Sequence, residues 1–331
     1  ILINTPGTPH AAATMLDGHP LSRQGRTKAA LKIALYASTF GGVFSALMLL
    51  FLGPQVAKIA AQLGTAEYFM VCVFGLTIIA GVSGKSIIRG LVSACLGLLI
   101  SCVGTDPMTS YDRFTFGIPR LYLGLDLAVC LIGLFALVEI LAKAEKKLGE
   151  LRLDTAKMHD DGKITRQEFK RMIRPVLMSS LIGVMVGIVP GTGASEASWF
   201  SYNTAKNLSK HPEEFGKGSV EGIAAAESAN NAVTGGALIP LLTLGVPGDV
   251  VTAIMLGALM IQGMTPGPLL FQEQGTLVYS IFIALFVSNV FMLLLGYYAV
   301  RLFAKVVLIP GGILMPLVTT LCVVGGYALN N

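Results

Sequence analysis

Three short stretches of this sequence set chain-breaking residues, hydroxyls, amides and carboxylates into apolar surroundings. The first is Pro190 to Ser198. Proline removes a backbone donor and breaks a helix. Gly191 and Gly193 admit turns that other residues resist, and Thr192, Ser195 and Ser198 are suited to cap the helix that restarts. A helix beginning at membrane depth presents free N–H groups and the positive end of its dipole, which is a place for a carboxylate. The bland alternative is a plain kink, which leaves the polar residues grouped after the break unexplained.

The second stretch runs from Glu221 to Asp249, where Glu221, Glu227, Asn230, Asn231, Thr234 and Asp249 interrupt an apolar run. Ionisable groups in such a run are costly, so a functional role is the default reading. Asn230, Asn231 and Asp249 offer hard oxygen ligands suited to Na⁺, and a protonatable carboxylate would suit H⁺. The pair Gly235-Gly236 beside the asparagines predicts an unwound turn, and Pro247-Gly248 predicts a second helix break. The competing reading of the asparagines is hydrogen bonding between helices. The third stretch is Asn4-Thr5-Pro6-Gly7-Thr8-Pro9, which would form a partner tip. Asp17-Gly18-His19-Pro20, downstream of it, reads as a turn leaving a helix at the membrane face.

Several patterns suggest other chemistry and fail on inspection. Gly84-Lys85-Ser86 ends like a phosphate-binding loop, but Ile79 stands where glycine is required. Gly81-Val82-Ser83-Gly84 lacks a base for serine catalysis, because the four histidines lie in loops or beside turns. An aspartyl dyad of Asp249 and Asp112 needs two carboxylates buried together, and Asp112 falls in an external loop beside Arg113. Asp160-Asp161-Gly162 with Glu168 resembles half of a calcium loop, yet Lys157 and His159 occupy the first ligand positions. The five cysteines are scattered and form no Cys-x-x-Cys pair.

The elements that must position these groups are membrane helices. Of 331 residues 53% are hydrophobic and 13% charged, against roughly 25% charged in soluble domains. Apolar runs are predicted near 29–52, 67–82, 86–103, 121–142, 175–189, 223–246, 250–262, 277–300 and 306–329. The stretch 143–174 holds ten Lys/Arg and is predicted to be a cytoplasmic linker. With Arg23, Arg26, Lys28 and Lys32 in 19–32, around the start of the first long run, it orients the first half of the chain. The net charge of +5 resides in these short loops and is no nucleic-acid signal. A repeat is also visible. Ile3-Asn4-Thr5-Pro6-Gly7 precedes Ala12, Met15 and Leu16 at the spacing by which Leu244-Gly245-Val246-Pro247-Gly248 precedes Ala253, Leu256 and Gly257. Such interruptions in corresponding positions point to a transporter site between structural repeats.

At these residues the chain resembles the large transmembrane subunit of the tripartite tricarboxylate transporter family. The resemblance rests on Asn4 to Pro9 with Asp17 to Leu21, on Phe114-Thr115-Phe116-Gly117, and on Phe215-Gly216-Lys217-Gly218 with Glu221-Gly222. It continues through Glu227 to Ala232, Gly236 to Gly248 and Gly263 to Pro268; His19 departs from the family's usual aromatic residue. The resemblance implies a larger protein, with a first Pro-Gly break upstream of Ile1 and an apolar stretch beyond the C-terminal residues. It also implies a small membrane subunit and a periplasmic substrate-binding protein as partners, with an ion gradient as the driving force.

The expected architecture is an all-α polytopic membrane protein of inverted repeats, with Pro-Gly broken helices or re-entrant hairpins. Residues 1–142 form a first repeat, 143–174 a linker and 175–331 a second repeat. The expected function is secondary uptake of di- or tricarboxylates across the inner membrane, coupled to Na⁺ or H⁺, without an enzymatic step or other cofactor. The alternative is an anion channel or exporter that needs no binding protein. Substrate carboxylates are expected at Asn4, Thr5, Pro6, Gly7, Thr8, Pro190, Gly191, Thr192, Gly193, Ser195, Pro247 and Gly248, and the coupling ion at Asn230, Asn231 and Asp249.

Overall fold

The computed structural model describes residues 10–64, 86–106, 109–125 and 162–306, with a few isolated positions elsewhere. The calls on Asn4, Thr5, Pro6, Gly7 and Thr8, the runs 67–82, 121–142 and 306–329, and most of 143–161 therefore lie outside or largely outside the described residues. The described chain is mostly helical. In order it forms α1 (Ala11–Arg23), α2 (Thr27–Ala60), α3 (Ile87–Ser101), the short strands β1 (Gly104–Thr105) and β2 (Asp112–Arg113), α4 (Arg166–Ile188), α5 (Ala194–Leu208), α6 (Val220–Leu244), α7 (Val250–Ile261), α8 (Leu270–Glu273) and α9 (Gly275–Val306). Among the described residues, α2, α4 and the stretch Gly275–Tyr298 of α9 are long and apolar enough to cross a membrane.

The chain divides into two compact units. The first comprises 1–61, 148–249 and 266–309; the second comprises 62–147, 250–265 and 310–331. In the first unit α6 is the axial helix, with 20 of its 25 residues buried. It packs against α1, α2, α4 and α5.

Small residues make this close packing possible. A methyl group added at Gly41 of α2 would collide with the Ser228 carbonyl of α6, and one at Gly235 of α6 with the Ser45 backbone of α2. Across the other face, side chains at Gly183 and Gly236 would strike the Ala229 and Val184 backbones. The expected unwound turn at Gly235-Gly236 is thus not found: α6 is helical from Val220 to Leu244, and the two glycines serve helix contact. Gly41→Val is accordingly expected to lower the thermal midpoint of the detergent-solubilised protein, by a cost of about 1–3 kcal/mol. Gly97→Val, with nothing within 4 Å of the added group, is the matched control and should leave the midpoint unchanged.

One end of this unit is a charged rim. The Thr165 hydroxyl caps α4 by accepting from the Glu168 N–H, and Glu168 in turn accepts from the Thr165 N–H at 2.9 Å. Both Glu168 oxygens also accept from the Arg26 guanidinium, at 2.6 and 3.1 Å. Arg171 bridges Glu221 at 2.8 Å and Glu214 at 2.5 Å, and Lys32 donates to the Gly162 carbonyl at 3.0 Å. Glu168 is a helix cap and an ion-pair partner here, not part of a calcium loop. The capping box starts α4 well before the apolar run at Pro175, which lies inside the helix. Glu221, counted above among costly membrane carboxylates, sits in the first turn of α6 as the partner of Arg171.

Asp17 lies at the same end and is fully buried. One of its oxygens accepts from the N–H groups of Gly216, Gly218 and Ser219 at 2.8–2.9 Å, and the other from the Tyr202 hydroxyl at 2.8 Å. Asp17-Gly18-His19-Pro20 is therefore no exit turn. α1 runs through it to Arg23, and the carboxylate ties α1 to the loop that starts α6.

In the second unit, α3 is capped by Ser86 and has no buried residue. β1 pairs antiparallel with β2, Gly104 opposite Arg113 and Thr105 opposite Asp112. Asp112 accepts from the Thr105 hydroxyl at 2.7 Å, and Arg113 pairs with Asp106.

Candidate functional site

The helices that leave the charged rim carry their far ends to the Pro-Gly stretches. α4 ends at Ile188 and α5 begins at Ala194, so Val189 to Gly193 is a non-helical connection. Gly191 adopts φ +82°, where L side chains are strained. From Arg174 to Pro190 is 16 residues, about 24 Å along a helix. α5 then returns toward the rim. Ala205 and Leu208, near its C-terminus, line one cleft with Arg174 and Met178 of α4. α4 and α5 form an antiparallel hairpin whose tip is Pro190 to Gly193.

α6 ends on the same level. Gly245 takes φ +72°, its N–H donates to the Leu241 carbonyl, and the Val246 N–H donates to the Pro240 carbonyl, an arrangement that closes the helix. The chain then passes through Pro247 and Gly248, and the two Pro-Gly stretches touch. The Gly191 N–H donates to the Gly248 carbonyl at 2.9 Å. Gly248 is buried, with room for no side chain, because an added Cβ would lie 3.1 Å from both the Gly187 carbonyl and the Ala237 side chain. Asp249 borders the tip: its Cβ is 3.9 Å from where a Cβ on Gly193 would sit.

The polar residues at the tip differ in part from the sequence expectation. Thr192 does not cap α5. Its hydroxyl donates backwards to the Val186 and Val189 carbonyls and so closes the end of α4. Ser198 donates to the Ala194 carbonyl inside α5, and Ser195 makes no capping bond to the helix start. The cap falls to Glu196, which accepts from the Gly193 N–H at 3.0 Å. The N–H groups of Ala194, Ser195 and Glu196 precede the first intrahelical bond and project from the helix start, as the geometry of any helix N-terminus dictates.

Asn230 and Asn231 are not at this tip. Thirteen residues of continuous helix separate Asn231 from Leu244, about 20 Å, so Asp249 cannot share an ion with either asparagine in this conformation. The asparagines belong to a different constellation. Glu227, Asn230, Asn231 and Thr234 follow i, i+3, i+4, i+7 spacing and form one polar stripe on α6. Glu227 accepts from the Ser38 hydroxyl of α2 at 2.6 Å; Asn231 donates to the Glu227 carbonyl at a long 3.4 Å. The stripe is partly open, since Thr234 is exposed and the other three are half-buried. Asp17 and Glu196 went unsingled as site-builders in the sequence. Glu196 had a readable signal, an acid three residues after the N-cap position. Asp17 had none, because its partners lie about 200 positions away.

Two long apolar helices, α2 and α4, flank a buried axial helix with a polar stripe, and the bilayer-length apolar helices suit a helical membrane protein. The comparisons narrow this class. The model of the tripartite tricarboxylate transporter TctA family matches residues 1–331, and the chain belongs to that family. It is 36% identical over 335 residues to the uncharacterized 52.8 kDa protein in the TAR-I ttuC′ 3′ region of Agrobacterium vitis, covering 100% of this chain and 66% of that one. It is 41% identical over 149 residues to an uncharacterized protein in the TAR-II ttuC′ 3′ region of the same organism, covering 45% of this chain and 62% of the relative. The chain thus spans less than two thirds of the length of each of these relatives. No solved structure matches.

Proposed function

We propose that this chain is the substrate- and ion-carrying part of a secondary transporter that takes up di- or tricarboxylates across the inner membrane. A periplasmic binding protein delivers the substrate, a small membrane subunit completes the assembly, and a Na⁺ or H⁺ gradient drives it. The observation that carries this reading is the direct contact of two Pro-Gly stretches, Gly191 to Gly248, in a family of tricarboxylate transporters. The touching stretches would be the tips of re-entrant or broken helices in inverted repeats, here 1–142 and 175–331 joined by 143–174. Asn4 to Thr8 would supply the symmetry-related tip.

Residues 175–205 and 218–300 contain no Lys or Arg, so the substrate's charge must be met by something other than a fixed cation. Backbone N–H groups at the start of α5, the Ser195 hydroxyl and the tips at Pro190-Gly191 and Pro247-Gly248 would meet it. Asp249 and Glu196 stand close to the tip, and the coupling ion would sit beside them to offset their charge against the substrate's. The stripe of Asn230 and Asn231 with Glu227 is a second place for that ion.

Asn231→Leu is expected to raise the ion concentration for half-maximal uptake by about tenfold, the worth of roughly 1.4 kcal/mol, with expression intact. An unchanged ion dependence would leave the asparagines a structural role. The reading as a whole is tested in proteoliposomes holding the full-length chain and the small subunit, with binding protein outside. Uptake of labelled carboxylate should require both the binding protein and an imposed Na⁺ or H⁺ gradient. Uptake that follows neither would favour a channel or exporter.

A further inference from the structure

At the charged rim, α4 and the end of α5 enclose an open cleft of about 340 Å³. Its charged lining is mainly basic, with Glu221 beside Arg171. Lys170 and Arg174 come from successive turns of α4, and Lys210 and His211 follow α5. Lys170, Arg174 and Lys210 are exposed, and the described ion pairs of this unit engage none of them. Arg171, at the inner wall, is neutralised by Glu214 and Glu221. Gln167 and Ser209 add neutral polar groups, and Pro175, Met178, Ala205 and Leu208 make the apolar walls.

Apolar surface continues from the cleft. Leu177, Leu181 and Met185 are exposed on the face of α4 that carries Lys170 and Arg174, farther from the rim. The order along this face is therefore cations first, hydrocarbon next. The rim also carries Arg23, Arg26, Lys28, Lys32 and Lys217, which by the positive-inside rule puts it on the cytoplasmic side.

We propose that this cleft binds cardiolipin of the cytoplasmic leaflet, one phosphate on Lys170 and Arg174, the other on Lys210, and its acyl chains along the apolar face of α4; His211 is turned to Glu213 at 3.6 Å and is not counted among the ligands. Basic clefts between membrane helices on the cytoplasmic side suit such headgroups. A free phosphate or carboxylate would gain nothing from the Met178 and Leu208 walls or the exposed leucines beyond them, whereas a lipid uses both. The proposal rests on the membrane-spanning class of the protein and not on the transported substrate.

The test is native mass spectrometry of the full-length chain, titrated with cardiolipin in detergent. One cardiolipin should bind per chain, and K170Q/R174Q/K210Q should weaken it at least tenfold. R23Q/K206Q/K217Q, which removes the same charge from residues of this unit outside the cleft lining, should bind as wild type, as should the charge-preserving K170R/R174K/K210R. Neither inorganic phosphate nor a soluble tricarboxylate should displace the lipid. Binding that survives the first triple variant, falls equally in the second, or yields to a soluble anion would overturn the proposal.

Discussion

Gly191→Val is expected to abolish carboxylate uptake while leaving the protein folded in the membrane. Gly191 sits at φ +82°, a conformation that a β-branched residue adopts at a cost of about 1–3 kcal/mol. The tip relieves that strain by turning, which breaks the Gly191 N–H bond to Gly248 and moves the start of α5. A displacement of about 1 Å in a positioning group can cost 10²-fold in rate, so uptake should fall by about that factor or more. Gly248→Val should do the same for a different reason, because its side chain would be driven into Gly187 and Ala237. Arg301→Gln and Lys305→Gln should leave substrate affinity near wild type. Uptake by Gly191→Val at the wild-type rate would remove the tip from the transport cycle.

Asp17→Ala is expected to produce the largest loss of stability. The carboxylate is fully buried and accepts three backbone N–H groups and one phenol. Its removal leaves the loop donors without partners in a site closed to water, at roughly 1–3 kcal/mol for each. Gly216 and Gly218, at φ +83° and +112°, shape that loop so that its N–H groups converge, and α6 is launched from it. The variant should show a large drop in yield from the membrane and in thermal midpoint. Tyr202→Phe, which deletes only the phenol, should cost about 1 kcal/mol. A wild-type midpoint for Asp17→Ala would contradict this account of how α1 is held.

Most helices were legible in the sequence because bilayer-length apolar runs are a strong signal. α2, α3, α6, α7 and α9 fall where those runs predict. What escaped notice depended on contacts distant in sequence. The start of α4 at Arg166 is written in Thr165 and Glu168, yet the ten basic residues of 143–174 mask it as a linker. Gly235-Gly236 looks like a helix break, and only the neighbouring helices show that it is a contact surface. Of the candidate site, the sequence located both Pro-Gly stretches but not their mutual contact. It joined Asn231 to Asp249, which the length of α6 separates. Chain proximity is a poor guide to a site when one residue lies in mid-helix and the other beyond the helix end.

The most direct measurement is a structure of the full-length transporter with its carboxylate substrate bound. The substrate carboxylate should contact the backbone at Pro190 to Ser195 or Pro247-Gly248, with no Lys or Arg side chain within hydrogen-bonding distance. A substrate carboxylate paired to Arg301, Lys305 or any other cationic side chain, away from the Pro-Gly stretches, would contradict the account.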